Sequence, residues 1–90
     1  MIFKLGKLDK EVKERISNGE TPIGTDLYTN WGYWGSYYCY QCVLTFKFEG
    51  EDVEHKVNIE IEKKDQPALD YLSLSILMNG IDWKTGIITY

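Results

Sequence analysis

Two stretches of strict alternation constrain the fold of this chain more than anything else in it. From Tyr37 to Phe48, the side chains of Tyr38, Tyr40, Cys42, Leu44, Phe46 and Phe48 fall on one side. Tyr37, Cys39, Gln41, Val43, Thr45 and Lys47 fall on the other. From Val53 to Glu62, the residues Val53, His55, Val57, Ile59 and Ile61 oppose Glu54, Lys56, Asn58, Glu60 and Glu62. A period of two belongs to a β-strand with one oily face. Glu49-Gly50-Glu51-Asp52 joins the two strands, and a type II′ turn on Gly50-Glu51 suits a glycine in first place. Phe48 would then meet Val53, Phe46 meet His55, Leu44 meet Val57, Cys42 meet Ile59 and Tyr40 meet Ile61. A slip of one residue sets Glu54 against Phe48, so this register is strongly specified. Each large apolar side chain buried on that face contributes roughly 1.5–3 kcal/mol.

The rest of the chain is organised around this hairpin. Met1–Leu5 is a short apolar start, read as an edge strand. Leu8, Val12 and Ile16 recur every four residues with charges between them, which predicts an amphipathic helix from about Asp9 to Ser17. Asn18-Gly19 stops it, and Thr21-Pro22-Ile23-Gly24 reads as loop. Lys63 to Gln66 reads as polar linker. Pro67 to Met78 carries two patterns. Pro67 at the start, candidate caps at Asp65 and Gln66, and Asn79-Gly80 at the end suit a helix. Alternation of Leu72, Leu74, Ile76 and Met78 with Ser73 and Ser75 suits a strand. The shortage of β-branched residues favours the helix. Ile81 to Tyr90 reads as a strand or small hairpin bent at Thr85-Gly86. The expectation is therefore a small single α+β domain over residues 1–90. Its antiparallel sheet is built on a 37–48/53–62 hairpin, with an N-terminal helix and a second helix near 67–78.

Charge narrows the function classes. The net charge is −4, and residues 32–62 carry all of it; the segments on either side are balanced. Direct nucleic-acid binding is disfavoured, because it needs a basic face. A partner with a basic surface is favoured by the same argument. No segment approaches the roughly 18 apolar residues of a membrane span. The start lacks the apolar run of a secretory signal, so a cytoplasmic location is the expectation.

The reactive side chains point away from catalysis. Cys39 and Cys42 are the only cysteines, and His55 is the only histidine. A zinc site usually needs four ligands. An offset of three within a strand sends the two thiols to opposite faces, about 10 Å apart, too far for a disulfide. Cys42 belongs to the core and Cys39 lies outside. His55, alone on an oily strand face, reads as a hydrogen-bonded packing residue. No carboxylate pair stands out as a general acid and base. No enzyme activity, cofactor or metal is expected.

Two features suit recognition instead. Glu49, Glu51, Asp52 and Glu54 cluster at the hairpin tip. Trp31, Tyr33 and Trp34 sit in a Gly/Asn/Ser-rich segment that reads as an exposed loop, with Tyr37 just beyond, facing away from the oily side. Rigid aromatics among small polar residues are the make-up of binding loops. The bland alternatives are a solvated turn and two tryptophans closing a small core. The reading that follows is a protein-binding module, an inhibitor or modulator that docks on a basic, nucleic-acid-binding surface of a partner. Small acidic inhibitors such as phage anti-defence and toxin-immunity proteins are similar in size and charge. The alternative is a small-ligand protein whose rings stack on a sugar or nucleobase. A homo-oligomer contact through the same rings is a further reading.

Overall fold

The structure is a computed structural model describing residues 2–89. Met1 and Tyr90, both assigned to terminal strands from sequence, lie outside the described residues. The elements run β1 (Ile2–Leu5), α1 (Lys10–Ser17), β2 (Pro22–Trp34), β3 (Tyr37–Phe48), β4 (His55–Glu60), a 3-10 helix (Lys63–Tyr71), α2 (Leu74–Gly80), β5 (Ile81–Asp82) and β6 (Ile87–Thr89). The strands form one antiparallel sheet in the order β2-β3-β4-β1-β6-β5. The α+β class expected from the alternating hairpin is the class observed.

The core lies on one face of that sheet. Phe3, Leu44, Phe46, Phe48, Val57, Ile59 and Ile88 point to it from the strands. Val12 and Ile16 of α1, Leu69 of the 3-10 helix and Leu77 of α2 close over them. The opposite face carries Ile2, Lys4, Lys56, Asn58, Glu60 and Ile87, all exposed.

β3 spans the residues that its alternation predicts. Phe46 pairs with His55 and Leu44 with Val57, as the buried-face argument required. The expected pairing fails at both ends. The turn closes from the Phe48 carbonyl to the Glu51 N–H, with Gly50 third in the turn at φ 82°. That is the glycine position of a type II turn, not II′. Residues 51–54 consequently leave the ladder, and Val53 is exposed rather than facing Phe48. Past Asn58, β4 continues along β1, where Leu5 meets Ile59. Tyr40 reaches that strand by donating its hydroxyl to the Ile59 carbonyl instead of pairing with Ile61.

Three other expectations are corrected. β1 is not an edge, because β6 adds outside it. Of the loop read at Thr21–Gly24, only Thr21 is loop; Pro22–Gly24 and the aromatic segment are the two ends of β2, which pairs with β3 from Pro22↔Phe48 to Trp34↔Tyr37. A bulge between Gly24 and Asp26 shifts the inward parity by one residue, which hides the alternation. The helix near 67–78 is two pieces, and the supposed linker Lys63–Gln66 belongs to the first. Pro67 is accommodated in the 3-10 helix. Ser73 then starts a new helix by accepting the Ile76 N–H on its hydroxyl at 3.3 Å.

Candidate functional site

Beyond Val43, β3 has no strand on its β4 side, so β2 and β3 run on as a two-stranded ribbon. Gly35-Ser36 closes it. Gly35 stands first in the two-residue loop at φ 65°, as a II′ turn needs. Cross-strand pairing assigns each ring to a face. Trp31 opposes Tyr40 and Tyr33 opposes Tyr38 on the core side; Trp34 opposes Tyr37 on the outer side.

The two indoles therefore have different roles. Trp31 is half-buried against the core, and its Nε1–H donates to Asp70 Oδ1 at 2.8 Å, tying the ribbon to the 3-10 helix. Trp34 is 57% exposed, Tyr37 66% and Tyr33 69%. Tyr33 rests edge-on against Tyr38 with centroids 5.1 Å apart. The Lys63 ammonium sits over both rings, 5.0 Å from Tyr38 and 5.8 Å from Tyr33. Burial pushes the Tyr40 hydroxyl pKa well above the usual tyrosine range.

Tyr28 joins this set, although the sequence reading did not select it. It lies on the outer side of β2, paired with Val43 and half-exposed. Tyr28 and Trp34 are six residues apart on one strand, an even offset, so they share a face over about 20 Å. The signal was available once both were placed in a strand. The outer face between them presents the Asn30 and Gln41 side chains as a cross-strand pair. From Leu27 to Phe46, twenty consecutive residues carry no charge.

The acidic turn sits at the other end of β3. Eleven residue steps separate Tyr37 from Phe48, about 36 Å of extended chain. The structure therefore does not bring the two halves of the expected site together. Nor are the four carboxylates equivalent. Glu51 is held by Arg15, Nη1 to Oε2 at 2.6 Å, and Arg15 also grips Glu20 through Nη2 and Nε at 2.7 and 2.8 Å. The guanidinium lies 4.1 Å over the Phe48 ring. These hydrogen bonds hold both carboxyls below their usual pKa and raise that of Arg15. Glu49, Asp52 and Glu54 are exposed and make no ion pair with any described residue.

The reactive side chains offer packing. Cys42 is buried and Cys39 half-buried on the other face; both are unbridged. Burial pushes the Cys42 thiol up to about 11. His55 stacks on Phe46 at 5.5 Å and meets Phe48 edge-on at 5.7 Å. Its Nε2 is buried with no hydrogen-bond partner among the described residues, so it packs without the hydrogen bond expected at that atom. Among the described residues, no group of three metal-ligating side chains converges, and no helix is long and apolar enough to cross a membrane. Comparison with family models, with curated proteins and with solved structures returned no match.

Proposed function

We propose that this chain is a small acidic protein-binding module, an inhibitor or modulator anchored by the tip of the β2–β3 ribbon. The observation that carries this reading is the uncharged edge. β2 ends the sheet, and its distal half, with the partner strand, lacks the charges and prolines that normally keep an edge from pairing with other chains. Rings exposed on such an edge suit contact with a protein. A second chain can add backbone hydrogen bonds along the strand while the rings fill its pockets. Trp34, Tyr37 and Tyr33 are the anchors, and Tyr28 extends the contact.

The acidic turn contributes through Glu49, Asp52 and Glu54, with Glu51 engaged by Arg15. Carboxylates about 36 Å from the anchor act by steering a basic, nucleic-acid-binding partner rather than by joining one compact patch. Phage anti-defence and immunity-type proteins, similar to this chain in size and charge, also dock on partner proteins, and a cytoplasmic location goes with this reading. The competing reading is stacking on a sugar or nucleobase, favoured by the Asn30 and Gln41 amides between Tyr28 and Trp34.

The test is capture from extracts of the source cells on four baits: wild type, Trp34→Ala/Tyr37→Ala, Glu49→Lys/Asp52→Lys/Glu54→Lys, and the combination. The proposal expects a protein retained by wild type, lost on the ribbon variant, and bound more slowly and with less salt dependence by the charge variant. Equal retention on the ribbon variant removes the anchor. A small molecule that shifts tryptophan emission with no salt dependence favours the competing reading. Light scattering that reports a dimer lost with Trp34→Ala/Tyr37→Ala makes a second copy of this chain the occupant.

A further inference from the structure

The ribbon and the acidic turn leave the concave surface beside α1 unused. α1 and the β5–β6 hairpin face each other across a groove of about 610 Å³. Lys7 reaches its rim from the segment before α1, Lys13 from α1, and Lys84 from the hairpin turn. Ser17, Trp83 and Thr85 also line it, and the Thr85 hydroxyl accepts the Ile87 N–H at 3.3 Å. Among the described residues, no carboxylate side chain lines it. None of the three ammonium groups makes an ion pair with a described residue. In a chain with 14 acidic and 10 basic residues, three lysines without an ion pair line this one hollow, against the sign of the net charge.

Two acids of the adjoining groove are already hydrogen-bonded elsewhere. Glu20 and Asp82 line a second groove of about 570 Å³, which meets the first at Ile16, Trp83 and Lys84. Glu20 is committed to Arg15. Asp82 Oδ1 accepts the backbone N–H groups of Lys84 and Thr85 at 3.0 and 3.3 Å. Trp83 is fixed from within, tilted 57° against the Phe46 ring at 5.2 Å, so its indole is presented without much entropy to lose.

We infer that this groove binds a small anion carrying a planar ring, of mononucleotide size, with the ring against Trp83 and the anionic group among Lys7, Lys13 and Lys84. The volume falls in the range of small-molecule sites, about 300–1,000 Å³. Charge-assisted hydrogen bonds from lysines and hydroxyls recognise a phosphate, and the indole recognises the ring. The site is independent of the proposed docking ribbon.

Calorimetric titration of the intact chain with AMP, adenosine and inorganic phosphate tests this. AMP should bind, with adenosine and phosphate each weaker by about tenfold or more. Lys13→Ala/Lys84→Ala should weaken AMP by at least about tenfold with the melting temperature unchanged, since both side chains are exposed. AMP should shift the Trp83 indole N–H resonance, and Trp34→Ala/Tyr37→Ala should bind AMP as wild type does. No heat from AMP up to about 10 mM, equal binding of adenosine and AMP, equal binding of phosphate and AMP, or loss of AMP binding in the ribbon variant would each overturn the assignment.

Discussion

Gly80 is the residue whose replacement tests the packing most sharply. It ends α2 where that helix meets the β6 backbone. A methyl group added there would sit 3.1 Å from the Thr89 carbonyl carbon and closer still to its oxygen. Comfortable carbon–oxygen contacts begin near 3.3 Å. Both partners are backbone, so no side-chain rotation relieves the clash, and α2 and β6 must separate. Gly24 provides the control. A methyl there would lie 2.6 Å from Met78 Sδ and 3.0 Å from Leu74 Cδ1, the far ends of flexible side chains. Overpacking costs about 1–3 kcal/mol, more when nothing can yield. Alanine recovers at most about 1 kcal/mol of helix propensity at a helix end. Gly80→Ala should therefore lose at least about 2 kcal/mol net and Gly24→Ala about 1 kcal/mol, because Met78 can turn aside. With a urea slope of about 1–3 kcal/mol per M, the Gly80→Ala midpoint should fall by about 1 M and that of Gly24→Ala by about half as much. A Gly80→Ala midpoint within about 0.3 M of wild type, or above that of Gly24→Ala, refutes the close approach and with it the placement of Trp83 and Lys84.

Other outcomes follow from single groups. The Cys42 thiol ionises near 9.0 when unfolded and is held neutral to about 11 when folded, so stability is full below pH 9 and lost as pH rises toward 11, by about 3 kcal/mol. Urea titrations should give a steeper alkaline slope in wild type than in Cys42→Ala, which keeps only the part from Tyr40; an equal slope assigns it elsewhere. Glu20 and Glu51 are held below their usual value of 4.5, so their contribution is present above pH 4.5 and lost as pH falls below it. Thermal melts should show that acid loss, and Arg15→Met should flatten it; an unchanged acid limb means the ion pairs do not form in solution. Gln66 is buried with its Oε1 unpartnered among the described residues, so Gln66→Leu should leave stability unchanged or raise it by up to about 1 kcal/mol in a thermal melt. A fall would show that the amide is satisfied.

How much of this was legible in the chain differs by element. β3 could be placed from Tyr37 to Phe48 because every second residue is apolar or aromatic, although the turn after it is type II and not the expected II′. α1 was legible from Leu8, Val12 and Ile16, and the C-terminal hairpin from Thr85-Gly86. β2 was not legible. Its inward positions include Gly24 and Thr29, and the bulge at Thr25 shifts the parity, so a strand as long as β3 resembles a polar loop. That single misreading turned exposed rings on a paired ribbon into rings on a loop. The chemistry that joins distant positions was hidden for another reason. Arg15 and Glu51 lie 36 residues apart, and the lysine groove gathers residues 7, 13 and 84. No local window contains either set, and both depend on where α1 crosses the sheet.

Amide hydrogen exchange on the complex with the captured partner bears most directly on the ribbon as the recognition surface. The account predicts new protection from Tyr28 to Gln41, centred on Trp34 and Tyr37, with at most weak changes from Glu49 to Glu54. Protection confined to the acidic turn or to the face bearing Ile2 and Ile87, with the ribbon exchanging as it does alone, would contradict it.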